Sequence, residues 1–198
     1  LKTIGQWPWP RTTVADLVNR ITQMGPAAIG FDVVFAEPDR MSPAIAEQSF
    51  HGLDAETRAK LDSLPSNDQV LADAIKQSRV VVGQAGAGNP TPQPPGEAAL
   101  QTGFAVLGPN PAPYLVTFPG LLRNVPVIEA AAAGRGLFSI DPEHDGIIRR
   151  VPVIMDAQGS LVPSLTMEML RVVTRSGAIL VRVNNAGVQS VAVPGLVV

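Results

Sequence analysis

Residues 27–36 read Ala-Ala-Ile-Gly-Phe-Asp-Val-Val-Phe-Ala, a run of strand length in which Asp32 is the only charged residue. A second run at 79–84 reads Arg-Val-Val-Val-Gly-Gln. Apolar residues at consecutive rather than alternating positions are typical of strands in a sheet covered on both faces, as parallel sheets are. Apolar residues at helical spacing precede each run, so residues 12–84 predict helix, strand, helices and strand in turn. This order favours an α/β fold.

The second half of the chain adds further strand and helix signals. The predicted strands are residues 114–118, 136–140, 147–154, 179–183 and 188–193, and the predicted helices are residues 126–133 and 163–175. Asn-Asn-Ala-Gly at 184–187 is a hairpin signal between the last two strands. We therefore predict a mixed, largely parallel sheet flanked by helices, with a C-terminal antiparallel hairpin region. The first helix is expected to be capped by Thr12 or Thr13.

Composition bounds the class of protein. The chain has 198 residues, 18 Gly, 19 Pro, no Cys and a formal net charge of −2. The length suits one domain over residues 1–198, with a surface loop at 86–113, where five Gly and seven Pro gather. The lack of a basic stripe argues against nucleic-acid binding, and the lack of Cys excludes disulfides and thiol nucleophiles. Because no apolar run is long enough to span a membrane and the chain starts at Leu1, we expect a piece excised from a longer protein.

Acidic residues gather around the end of the 27–36 run. Asp32 interrupts it, and Glu37 and Asp39 follow it. Ligands collect beyond the carboxyl ends of parallel strands, so these three carboxylates are candidate ligand-binding residues. Arg11 joins them as the candidate grip for an anionic group, because guanidinium forks match carboxylate and phosphate. The alternative for Asp32 is structural, as a helix cap or an acceptor for backbone amides.

The segment Asp141-Pro-Glu-His-Asp145-Gly-Ile places oxygen ligands at alternating positions before a glycine, like the front half of a calcium loop. Position twelve of such a loop should be Glu but is Pro152, so a hairpin turn is the expected role. Asp141 and Asp145 remain candidate ligand-binding residues of this turn. The two histidines of the chain show no metal-ligand or triad spacing, and we expect no catalytic residues, no metal and no cofactor.

Several strings of residues resemble one known family in order along nearly the whole chain. They are Gly-Gln-Trp-Pro-Trp-Pro-Arg at 5–11, the strand and acidic residues at 29–39, Gly-Leu-Phe at 136–138, Asp-Gly-Ile-Ile-Arg-Arg-Val-Pro at 145–152 and Pro-Ser-Leu-Thr-Met-Glu at 163–168. The family is that of the CHASE2 domains. The resemblance implies an extracytoplasmic sensor module of a bacterial membrane receptor, flanked by transmembrane helices that are absent here. It also implies a cytoplasmic output, such as an adenylate or guanylate cyclase, a diguanylate cyclase or a kinase, and supplies no catalytic residues.

Three functions follow as hypotheses. The first is a periplasmic domain that binds a small molecule or another periplasmic signal and relays it to a cytoplasmic nucleotide cyclase. The second is a protein–protein interaction or dimerisation module of the same receptor, in which the 86–113 segment docks a partner or a second copy to form a homodimer. The third and most remote is a metal-dependent hydrolase that uses the acidic cluster.

Overall fold

The structure is a computed structural model that describes residues 5–93, 102–140 and 144–195. Its helices are α1 (Arg11–Gln23), α2 (Pro43–Ala46), α3 (Ala55–Asp62), α4 (Asn67–Lys76), α5 (Pro126–Ala131) and α6 (Leu165–Thr174). Its strands are β1 (Ile29–Phe31), β2 (Val80–Ala87), β3 (Gly103–Leu107), β4 (Thr117–Phe118), β5 (Gly120–Leu122), β6 (Gly134–Leu137), β7 (Ile154–Ala157), β8 (Ser160–Pro163), β9 (Ala178–Asn184) and β10 (Gly187–Ala192). The α/β class is confirmed, and the described strands form three sheets that contain both parallel and antiparallel pairs.

The sheet that organises the fold is built on β2. Val82 of β2 is in parallel register with Phe31 of β1 on one side and with Arg135 of β6 on the other. The last three residues of β2 pair antiparallel with β5. The parallel pairing predicted from the two apolar runs is therefore present at the centre of the sheet.

This sheet carries helices on both faces. Val80 and Val82 pack into the main core with apolar residues of α1, α4 and α5. Gly30 and Gly136 instead face α6, where a Cβ atom on either would collide with Met169 or Leu165. Since successive residues of a strand point to opposite faces, α6 lies across the sheet from the other three helices. Burial on both faces explains why residues 80–84 are all buried and why their sequence does not alternate.

The first apolar run forms less strand than the sequence predicts. β1 ends at Phe31, and Asp32 is exposed rather than inside a buried strand. Phe35, further along the run, is buried, and its backbone bonds to the segment before α5: its N–H donates to Asn124 Oδ1 (2.8 Å), and its carbonyl accepts from Val125 N–H (2.7 Å). The run is apolar beyond β1 because its side chains fill the core after the strand has ended.

A second sheet has the order β10-β9-β3. β9 and β10 form the predicted antiparallel hairpin, and β3 pairs parallel with β9 over all five of its residues. The prediction of a loop over 86–113 is therefore wrong at 103–107, and also at 86–87, where β2 continues and pairs with β5. The sequence Gly-Phe-Ala-Val-Leu forms a strand at 103–107 because Phe104 packs into the core beneath β9. Residues 94–101 of that segment lie outside the described residues.

The third sheet has the order β4-β7-β8 and contains the predicted turn at 157–159. The sequence also predicts strand at 147–153, and this prediction is wrong: regular pairing begins only at Ile154. Arg149 and Arg150 are both exposed, and Pro152 has no N–H to donate to a ladder. The predicted hairpin between 136–140 and 147–154 consequently does not form.

Candidate functional site

The loop that follows β1 meets the N-termini of α1 and α4. Four side chains converge there, and we call them the Asp39 cluster: Arg11, Asp39, Asn67 and Asp68. Arg11 is the first residue of α1, Asn67 and Asp68 open α4, and Asp39 comes from the loop. Asp39, Asn67 and Asp68 are buried.

Asp39 is the acceptor at the centre of this cluster. Its Oδ2 accepts from the Arg11 backbone N–H (2.7 Å) and from Asn67 Nδ2 (2.9 Å), and its Oδ1 accepts from Met41 N–H (2.9 Å). Burial alone would raise the pKa of Asp39, but these hydrogen bonds and the Arg11 charge outweigh it and hold the pKa below its ordinary value. Asp39 therefore stays ionised and satisfies the first amide of α1, whose own N-cap, Pro10, offers no side-chain bond. The predicted cap at Thr12 or Thr13 is wrong, because the helix begins before them.

Arg11 and Asp68 complete the cluster. The Arg11 guanidinium lies 4.4 Å from the centroid of the Phe35 ring, a cation–π distance, and Nη2 donates to the Glu37 carbonyl (3.3 Å). Arg11 Nε lies 3.4 Å from Asp68 Oδ1, and the other Asp68 oxygen accepts from the Asp39 N–H (2.9 Å). The two helix starts and the loop after β1 are thus held together by one network of charges.

The other predicted ligand-binding residues lie apart from this network. Asp32 is exposed, and the Glu37 carboxylate is exposed beside Arg40 (3.4 Å). Asp145 pairs with Arg149 (2.8 Å) and accepts from Ile147 N–H, and these bonds, the Arg149 bond first, lower the pKa of Asp145. Asp141 lies outside the described residues. The structure brings Arg11 and Asp39 together, places Asp32 and Glu37 on the same loop in solvent, and gives Asp145 a local partner.

A second polar cluster lies inside the fold, and sequence reasoning missed it. Both carboxylate oxygens of Glu129 in α5 accept from Gln84 Nε2 (3.1 and 3.2 Å), and Asn124 donates to the same carboxylate through its backbone and side chain (both 2.9 Å). Arg135 Nε approaches Glu129 Oε2 at 2.9 Å. Burial lowers the pKa of Arg135, against the effect of Glu129. The signal in the sequence was the polar Gln84 at the end of a fully apolar run.

Glu168 and Arg171 of α6 form a further buried ion pair. Glu168 has no exposed area, and Arg171 grips it with two bonds, from Nε (2.8 Å) and Nη2 (2.6 Å). Those bonds raise the pKa of Arg171. Arg171 also donates to the carbonyls of Ser176 and Ala133, so it links α6 to the chain on both sides. A paired, fully hydrogen-bonded carboxylate is the form in which a buried charge is tolerated.

Comparison with known families shows to which family the chain belongs. The CHASE2 domain model matches residues 1–194, essentially the whole chain. The chain belongs to the CHASE2 family. No curated protein and no solved structure matches it at a significant level.

CHASE2 domains are extracytoplasmic sensory domains rather than catalytic ones. The resemblance seen in the sequence is therefore confirmed. Within residues 5–93, 102–140 and 144–195, no group of three or more His, Cys, Asp or Glu side chains could hold a metal ion. No helix in those same ranges combines the length and apolar character needed to cross a membrane.

Proposed function

We propose that this CHASE2 domain senses a small molecule or another periplasmic signal for a transmembrane receptor and relays it to a cytoplasmic output domain, with a nucleotide cyclase as our first choice. The family match over residues 1–194 carries the sensory part of the proposal. The rest of the proposal concerns the natural gene product: a receptor located at the inner membrane that relays the signal.

The loop from Asp32 to Asp39 is our proposed site of signal binding. Its two exposed carboxylates, Asp32 and Glu37, face solvent, while Asp39 at its far end holds the first amide of α1. A ligand with cationic or hydrogen-bond-donating groups would bind the exposed carboxylates. Because the loop is tied to Arg11 and Asp68, ligand binding there would act directly on the starts of α1 and α4.

The relay is a shift between two arrangements of this network. A ligand moves such an equilibrium only by as much as it binds one arrangement better than the other. The contacts that would differ are those of Arg11, which reaches three parts of the network: the Glu37 carbonyl, the Phe35 ring and Asp68. Asp141 and Asp145 remain in the proposal as a second acidic contact for the signal.

The binding part is tested by thermal unfolding of the chain with fractionated periplasmic extract. A ligand at about one hundred times its Kd stabilises a protein by about 2.7 kcal/mol, which corresponds to about 5–11 °C in Tm for a chain of this size. We expect one fraction to raise Tm by this order, and the double variant Asp32→Ala/Glu37→Ala to lose the shift. Asp73→Ala, an exposed carboxylate on α4, is the matched control and should keep it. An unchanged shift in the double variant would refute the site.

A further inference from the structure

The outer edge of β3 is a strand edge that is left unpaired within the described part of the chain. β3 pairs with β9 along one side, and no described residue pairs with its other side. Natural proteins protect such edges with charges, prolines or bulges, because the unpaired N–H and C=O groups invite another strand. The sequence of β3, Gly-Phe-Ala-Val-Leu, contains no charge and no proline.

Several apolar side chains near this edge are exposed, next to the exposed Arg182 that stands opposite Leu107. Val106 and Leu107 of β3 expose 38% and 56% of their surface, and Leu180 of β9 exposes 37%. Ala105 stands opposite Leu180 in the register, so Leu107 and Leu180 lie on the same outer face of the sheet. The unpaired edge and the exposed apolar side chains are separate observations that point to a partner at this strand.

We infer that the partner is a second copy of this chain, joined by antiparallel pairing of β3 with β3 about a two-fold axis at Ala105. The resulting sheet has six strands, in the order β10-β9-β3 followed by the same three strands of the second copy in reverse. A two-fold interface must be complementary to itself. An uncharged strand meets this condition because no like charges face each other across the axis.

The residue order of β3 also fits this register. Phe104 of one copy stands opposite Val106 of the other, an aromatic and β-branched pair that favours antiparallel sheets and covers the exposed Val106. Leu107 stands opposite Gly103, which has no side chain to obstruct it. Ala105 meets its own copy at the axis, where a small residue allows close approach. Each of the two unequal pairs occurs twice in the dimer.

The exposed segment 147–153 is the rival surface, and its charge argues against self-pairing. Arg149 and Arg150 are both exposed there, so antiparallel pairing centred on them would place arginines opposite arginines. β3 has no such penalty. A different protein bound at 147–153 would leave the edge of β3 unpaired. The variants below distinguish binding at these two surfaces.

The chain lacks cysteine, which makes a single introduced thiol a clean probe of the axis. Directly opposed residues of an antiparallel pair have Cα atoms about 4.5–5.5 Å apart, within the range of about 4.4–6.8 Å that a disulfide spans. We expect Ala105→Cys to form a disulfide-linked dimer under mild oxidation. Gln189→Cys, exposed on β10 at the other edge of the sheet, should remain monomeric.

Solution mass completes the test. At about 100 μM, where an interface with a micromolar Kd is nearly saturated, the unmodified chain should have twice the mass of one 20.8 kDa copy. Ala105→Lys should be monomeric and folded, because the outer face of β3 is open to solvent and only the dimer places two lysines together. Gln189→Lys is the control and should stay dimeric. A monomeric unmodified chain, a dimer that survives Ala105→Lys, or equal crosslinking of both cysteine variants would overturn the inference.

Discussion

Replacing Asp39 by Ala tests the structural account of the Asp39 cluster most sharply. The substitution removes the acceptor for the first amide of α1, for the Asn67 side chain and for the Met41 amide at once. It also leaves the Arg11 guanidinium, whose side chain is only 12% exposed, without its nearby charge except for Asp68. The Asn67 donor that loses its acceptor is buried and the Arg11 amide is half-buried, so water reaches these two donors poorly.

The expected cost follows from these groups. Loss of a helix N-cap acceptor costs about 1 kcal/mol. Leaving buried polar or charged donors unpaired costs about 1–3 kcal/mol more. We therefore expect Asp39→Ala to lower the free energy of unfolding by about 3 kcal/mol, which corresponds to a fall in Tm of about 6–12 °C for a chain of this length.

The assay is equilibrium unfolding in urea, followed by far-UV circular dichroism. Glu37→Ala is the matched control, because Glu37 lies on the same loop and its carboxylate is 76% exposed beside an exposed Arg40. Exposed ion pairs contribute little, so this variant should stay within about 0.5 kcal/mol of the unmodified chain. An equal cost for Asp39→Ala and Glu37→Ala would show that Asp39 does not hold the start of α1.

Three further predictions concern the stability of the Asp39 cluster, of the buried Glu168 and of the contact between the central sheet and α6. Because the pKa of Asp39 is lowered in the folded state, its stabilisation is present above its unfolded pKa near 3.8 and is lost as the pH falls toward the pKa of the folded state. In urea titrations at acidic pH, the free energy of unfolding should therefore fall less steeply with pH for Asp39→Asn than for the unmodified chain. Equal slopes of the free energy against pH would contradict this. Arg171→Ala should cost about 3–5 kcal/mol in urea unfolding, because it leaves the fully buried Glu168 uncompensated, and adding Glu168→Gln should restore part of the loss, whereas strictly additive losses would exclude their coupling. Gly136→Ala should cost about 1–3 kcal/mol of overpacking against the start of α6, while Gly88→Ala, with open space around it, should be close to neutral by the same measurement.

The fold could be predicted where the burial of a segment determines its local pattern of apolar residues. The Val80–Gln84 stretch is buried on both faces, and its continuous apolarity predicted a parallel central strand. The β9–β10 hairpin was predicted from its turn residues. The run at 27–36 predicted too long a strand, because apolar residues indicate burial and not strand pairing. Phe35 is buried, but its backbone bonds to Asn124 and Val125.

The site could be predicted only in part, because its bonds join residues far apart in the chain. Asp39 was a candidate because it follows a strand, but its bond to the Arg11 amide spans 28 residues and cannot be read from local spacing. Glu129 and Gln84 lie 45 residues apart and carry no shared motif. Strand 103–107 was hidden because its Gly/Pro-rich surroundings are typical of loops, whereas its pairing with β9 is a long-range contact.

The decisive measurement is the output of the proposed full-length receptor. The receptor proposed above is placed in membrane vesicles with the side that carries this chain accessible, and cyclic-nucleotide production, the proposed output, is measured with and without the active periplasmic fraction. We expect the fraction to change the output of the unmodified receptor and of Asp73→Ala but not that of Asp32→Ala/Glu37→Ala. An equal response in all three receptors, or no response of the unmodified receptor, would contradict it.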